Sequence, residues 1–317
     1  MGSRMMDKPA PPGQMVDIGG FRLHALVSGH GTPTVVLEPA LGGFALQYAQ
    51  IQSAVSAFTR VMAYDRAGQA WSDASPNPRT PLHLAGELKT LLGRLELQPP
   101  YVLVGHSLGG LLARIYTGFH PEEVAGVVLV DSSHENQHDS SPDLDKMIRQ
   151  AAVGVRLQKI ATRLGLGKQL ARLSLGSAAR SLPAEDLDTF IAVASQPGHQ
   201  QTMLAEFSQH RFYFGPQSQV PRTLGDTPLI VVTAGNSVSG KGKIGGMTGD
   251  QMNAQHQRLQ KSLVQLSSRG EQVVVPGAAH LSILVQPEYS ARVVDAVRRM
   301  VERVRVENRQ PGEAPLQ

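Results

Sequence analysis

The run Val124-Ala125-Gly126-Val127-Val128-Leu129-Val130 contains no polar side chain. A strand with one face in water alternates apolar and polar residues. An unbroken apolar run of this length instead needs cover on both faces, which a parallel sheet with crossover helices supplies. The rest of the chain offers matching pieces. Short apolar runs at Phe21–Val27, Thr34–Leu37, Arg60–Tyr64, Tyr101–Val104, Leu229–Thr233 and Gln272–Val275 read as further strands. Helical spacing falls between them at Gln47–Phe58 and Leu108–Phe119, at Leu84, Leu88, Leu91, Leu92 and Leu95 before Pro99-Pro100, and at Gln257–Leu266. The repetition predicts an α/β fold with a mostly parallel central sheet and helices on both faces.

The rhythm breaks between about His134 and Gly225, where the pattern is helical and no strand is legible. These residues, 134–225, read as a helical cap inserted into a core made of residues 15–133 and 226–306. The Pro-rich and polar ends, 1–14 and 307–317, read as flexible. No cysteine is present, so a disulfide, a cysteine zinc site and a thiol nucleophile are excluded. No metal or cofactor is expected. Nothing in residues 1–14 resembles a signal peptide, and no apolar run reaches 18 residues, so a cytoplasmic protein without a membrane span is expected. The formal charge is +4. Its clearest basic cluster, Arg292, Arg298, Arg299, Arg303 and Arg305, shares a C-terminal amphipathic helix with Val293, Val297, Met300 and Val304. Without aromatic interleaving these arginines read as a solvated face, and nucleic acid is not an expected partner.

Gly105-His106-Ser107-Leu108-Gly109 directly follows one expected strand and directly precedes a helix. On a sharp strand-to-helix turn a serine hydroxyl projects from the sheet, the flanking glycines let the two arms approach, and the amide of Leu108 opens the helix N-terminus toward an anion. A nucleophilic serine needs a base. His280 follows the last strand on the loop Pro276-Gly277-Ala278-Ala279, at the sheet edge where parallel architectures gather ligands. The remaining histidines fall in strands, helices or the expected cap, except His106 and His134. His106 adjoins Ser107 but points the other way and reads as packing.

These segments resemble the α/β-hydrolase-fold serine hydrolases, esterases and lipases among them, over about residues 16–304. Tyr64-Asp65-Arg66-Ala67-Gly68-Gln69-Ala70-Trp71-Ser72 is similar to a family segment that braces the active-site loops. The resemblance implies an acyl-serine mechanism with Ser107 as nucleophile, His280 as base, no cofactor, and a cap between strands 6 and 7. It implies one oxyanion donor at the amide of Leu108. The other falls at Leu41, where Pro39-Ala40 replaces the family's His-Gly pair. The acid is less direct. The family's usual site after the seventh strand reads Ala234-Gly235-Asn236-Ser237, with no carboxylate before Asp250. A minority arrangement places the acid at the end of the sixth strand, where Asp131 stands, so Asp131 is the first candidate, with Asp250 and Glu135 behind it.

A small ester with an apolar acyl or alcohol part is the expected substrate. Thioester, lactone, amide or C–C cleavage and acyl transfer use the same groups. Dehalogenases and epoxide hydrolases of this fold carry aspartate at the elbow, which Ser107 disfavours. A phosphate-binding reading of Gly235-Asn236-Ser237-Val238-Ser239-Gly240-Lys241 lacks the Ser or Thr and the helix that should follow. In the expected cap, Phe190, Phe207, Phe212, Tyr213 and Phe214, with Met147 and Met203, either line a substrate pocket or bury the cap against the sheet.

Overall fold

The structure is a computed structural model that describes residues 8–137, 144–174, 184–215, 218–237, 243–244 and 247–308. Its strands are β1 (Gln14–Asp17), β2 (Arg22–Ser28), β3 (Thr34–Glu38), β4 (Val61–Tyr64), β5 (Tyr101–His106), β6 (Val124–Val130), β7 (Leu229–Ala234), β8 (Lys243–Ile244), β9 (Met247–Thr248) and β10 (Gly270–Val275). Eight of them form one sheet in the order β1-β2-β4-β3-β5-β6-β7-β10, while β8 and β9 form a separate hairpin. β2 pairs antiparallel with β1 and β4, and every pairing from β4 to β10 is parallel.

The apolar strands explain themselves through their two-residue period. Val36, Leu103, Val127, Leu129 and Val231 face one side of the sheet and join one core. Val35, Leu37, Val102, Val104, Val128, Val130, Ile230 and Val232 face the other and join a second. The first face is covered by α2 (Pro81–Arg94) and α3 (Leu108–Phe119), through Leu84, Leu88, Leu91, Leu111 and Ile115. The second is covered by α1 (Ala49–Ser56) and, at the C-terminus, α10 (Pro287–Glu307), through Ile51, Val55, Val293, Val297, Met300 and Val304. Each fully buried aliphatic side chain contributes about 1.5–3 kcal/mol over leaving it in water. The expected α/β architecture with helices on both faces is therefore what the chain forms.

Between β6 and β7 the described residues form α4 (Leu144–Arg163), α5 (Gly167–Ser174), α6 (Ala184–Ala194) and α7 (Pro197–Ser208). After β9 comes α8 (Gly249–Leu263), and α9 (Ser282–Val285) precedes α10. α8 begins eight residues earlier than Gln257, the start expected from apolar spacing. Its start is set by a capping box: Thr248 Oγ1 accepts from the Gln251 amide while Gln251 Oε1 accepts from the Thr248 amide. Strand β1 was not expected, since its four residues form an edge hairpin with β2 rather than part of the buried sheet centre. Of the segment 1–14 read as flexible, residues 1–7 lie outside the described residues. Pro9 and Pro12 are instead tied to the core, where Trp71 Nε1 donates to the Pro9 carbonyl at 2.8 Å and His24 Nε2 to that of Pro12. At the other end α10 runs through Glu307, which pairs with Arg269, and residues 309–317 lie outside the described residues.

Candidate active site

Ser107 joins β5 to α3 at φ +55° and ψ −121°, a backbone region that costs a non-glycine residue about 1–3 kcal/mol. The surroundings hold it there. Its amide donates to the Val130 carbonyl at 3.2 Å, and its carbonyl accepts from the amides of Gly110 and Ser133, both at 3.0 Å. The glycines are required by space. A Cβ on Gly105 would stand 2.3 Å from the Gly109 carbonyl oxygen, and one on Gly109 only 2.2 Å from that of Glu38. The third glycine, Gly110, lies against the Ser132 hydroxyl. Leu108 is the first residue of α3, so its amide is one of the helix's unpaired N-terminal donors.

Asp131 ends β6 in a second left-handed conformation, φ +40°, and its side chain is fully buried. Oδ2 meets His280 Nδ1 at 2.6 Å and accepts from the Ser237 hydroxyl at 2.5 Å. Oδ1 meets His256 Nε2 at 2.7 Å and accepts from the Ala234 amide at 3.0 Å. Burial pushes the Asp131 carboxyl up, but hydrogen bonds and charge from His256 and His280 outweigh it and hold the group well below the usual carboxylate range. Among the acid candidates, Asp250 is exposed in the first turn of α8. Glu135 is engaged with Arg114 in a two-pronged ion pair, at 2.6 and 3.1 Å. The structure thus brings His280 to Asp131, the first of the three.

The His280 ring, about a third exposed, packs tilted against that of His106, with ring centroids 4.6 Å apart. His106 is fully buried, and its Nε2 donates to the His280 carbonyl at 2.8 Å, which fixes the backbone beneath the partner ring. Burial, with His280 nearby, lowers His106 to about 3, so it is neutral at ordinary pH.

The loop after β3 is held from below by charge. Arg66 Nη1 donates to Glu38 Oε1 at 2.8 Å and to the Pro39 carbonyl at 2.6 Å, and its Nη2 donates to the Ala40 carbonyl at 2.7 Å. In a planar trans peptide the C=O and N–H point oppositely, so pinning the Ala40 carbonyl turns the Leu41 amide to the other side. Asp65, beside Arg66, accepts from the amides of Ala45 and Trp71 and meets His24 Nδ1 at 2.7 Å. The inserted helix α7 reaches the same loop. Glu206 Oε2 accepts from the Gly42 amide at 2.9 Å, and its Oε1 accepts from Arg66 and Arg79. Burial disfavours the Glu206 charge, but the two arginines prevail and hold it at about 2. Met203, one helical turn earlier, lies against Gly42.

Sequence reading missed both His256 and Glu206. The Thr248-x-x-Gln251 capping pattern was the available signal for where α8 starts, and hence for His256 on that helix. No local pattern marks Glu206. The expected cap aromatics divide: Tyr213 and Phe214 are buried in the first core, whereas Phe190 stacks on Phe44 at 4.8 Å beside Trp71 and Val193. The phosphate-loop reading falls partly on residues 238–242, outside the described residues, and the next helix starts only at Gly249.

Residues 33–232 match the model of the alpha/beta hydrolase fold family. The chain belongs to that family. Solved structures agree on the fold. A thermophilic esterase from Thermogutta terrifontis is 20% identical, with a TM-score of 0.61 over 90% of this chain and 94% of that one. The epoxide hydrolase CorEH is 15% identical, with a TM-score of 0.69 over 92% and 98%. Among curated proteins, one named a probable transporter, efuK, from Hormonema carpetanum is 35% identical over 136 residues, 40% of this chain and 20% of that one. The chain spans between 17 and 39% of the lengths of the first curated relatives it matches. Among the described residues no helix is long and apolar enough to cross a membrane.

Proposed function

We propose that this hydrolase cleaves small carboxylic esters through an acyl-serine intermediate. The observation that carries the reading is the strained Ser107 turn set beside the strand end from which Asp131 holds His280 at 2.6 Å. His280 takes the Ser107 proton from its Nε2 side, because Asp131 occupies Nδ1. Ser107 Oγ then attacks the ester carbonyl. The amides of Leu41 and Leu108 receive the oxyanion, the first turned toward it by Arg66 and the second by its place at the start of α3. His280 next protonates the leaving alcohol, and water, deprotonated by the same ring, releases the acid. Asp131 stays ionised throughout, in keeping with its lowered carboxyl.

The fold's likeness to an esterase fits this substrate class. Helices α4–α7 act as a cap, with Met203 and Glu206 against the oxyanion loop, and Phe190 and Val193 bury them against Phe44. The test is turnover of a p-nitrophenyl ester series by the wild type and by Ser107→Ala. The variant should lose about 10⁴-fold or more in kcat. Equal rates for the two proteins would remove Ser107 from the reaction.

A further inference from the structure

The positive charge of this chain is concentrated in one place. Residues 144–172, which form α4, its following turn and most of α5, carry seven Lys or Arg and one Asp, whereas the rest of the chain is acidic by two charges. The C-terminal arginines contribute little, since α10 also carries four acidic residues and Arg299 and Arg303 both pair with Glu271.

The same segment exposes apolar side chains in a line. Val153, Leu157, Ile160 and Leu164 recur at spacings of four, three and four, which is one stripe along a helix. All four are exposed, Leu157 by 57% and Leu164 by 72%, and Leu166 continues the patch. Arg149, Arg156 and Arg163 recur every seven residues along one edge of the stripe. The orientation is fixed from behind: Ile148 packs into the first core, Gln200 Nε2 donates to Thr162 Oγ1 at 3.2 Å, and Lys159 Nζ donates to Gln201 Oε1. Beside the stripe, an open groove between α4 and α7 is lined by Arg156, Lys159, Ile160, Arg163, Leu204 and Ala205.

We propose that this face docks the protein on an anionic lipid surface. An apolar stripe edged by cations suits a helix lying in the plane of a lipid interface, with the aliphatic groups among acyl chains and the arginines at the headgroups. Charge decides among occupants. A second copy would set the same cation excess against itself, even with Arg172 paired to Asp188. Nucleic acid would satisfy the arginines but leave the aliphatic stripe without a partner, and residues 144–172 hold no aromatic ring for base stacking. The inference does not depend on the ester-hydrolase reading, and docking should be unchanged in Ser107→Ala.

The experiment is co-sedimentation of the full chain with sucrose-loaded vesicles, phosphatidylcholine alone against phosphatidylcholine carrying about 30% phosphatidylglycerol. Partition onto the anionic vesicles should be at least about tenfold stronger, and should weaken as salt rises from about 0.1 to 0.5 M. L157S/L164S should lose it with an unchanged melting temperature, because both side chains are exposed. R156Q/R163Q should weaken it and flatten its salt dependence. Three results would overturn the proposal: no preference for anionic vesicles, binding that L157S/L164S leaves intact, or a dimer abolished by L157S/L164S in place of vesicle binding.

Discussion

Asp131 receives four donors, and they differ in what they can do for the reaction. His280 is the one that also packs against His106, next to Ser107, while His256, Ser237 and the Ala234 amide hold the carboxylate in place. Asp131→Asn keeps the shape but removes the charge that orients the His280 ring, so kcat should fall by about 10⁴. His256→Ala removes one charge-assisted hydrogen bond, worth about 1.5–3 kcal/mol, so kcat should fall by about 10- to 100-fold with KM little changed. Steady-state kinetics on one p-nitrophenyl ester checks both. An Asp131→Asn enzyme as fast as wild type would return the acid's role to Asp250 or Glu135. Ser107 and His280 were legible as candidates because motif and chain order are local. His256 was not, because its partner lies 125 residues away and nothing near it records the pairing.

At the level of elements, the elbow and the inserted helices are held by opposite means. Between β5 and α3 space is the constraint, and Gly109→Ala, whose Cβ would collide with the Glu38 carbonyl at 2.2 Å, should destabilise the fold and stop turnover. Urea denaturation beside an ester assay checks it. Between α7 and the loop after β3, charge is the constraint. Arg66, Arg79, Glu38 and Glu206 balance two against two with almost no water. Glu206→Gln leaves an arginine uncompensated and should cost about 3–5 kcal/mol of stability, read as a lower urea midpoint. The buried strands were legible because continuous apolarity has one structural meaning. The Glu206 network was not, since Arg66 lies 140 residues from it and an isolated Glu on a helix normally faces water.

For the molecule as a whole, two buried histidines set a direction for acid stability. Burial lowers His106 to about 3 and His199 to about 4. Both are neutral in the folded state and titrate near 6.5 when unfolded, so below that pH the unfolded chain binds more protons. Their stabilisation is complete above about pH 6.5 and is lost as pH falls toward 3 or 4, at about 1.4 kcal/mol per proton per pH unit. The lowered Asp131 carboxyl acts in the same sense at lower pH, while Glu38, pushed up by burial, offsets part of the slope. Urea unfolding at pH 7.0 and 5.0, about half a unit above and one and a half units below the unfolded histidine's value, should show a clear loss at the lower pH. Equal stability at both would mean that neither histidine is desolvated as the packing indicates.

In the proposed mechanism Ser107 forms a covalent bond with substrate. Treatment with an alkyl fluorophosphonate followed by intact-protein and peptide mass spectrometry should show one adduct, on the peptide containing Ser107, and none in Ser107→Ala. An unlabelled wild-type protein, or equal labelling of the variant, would rule out Ser107 as the nucleophile.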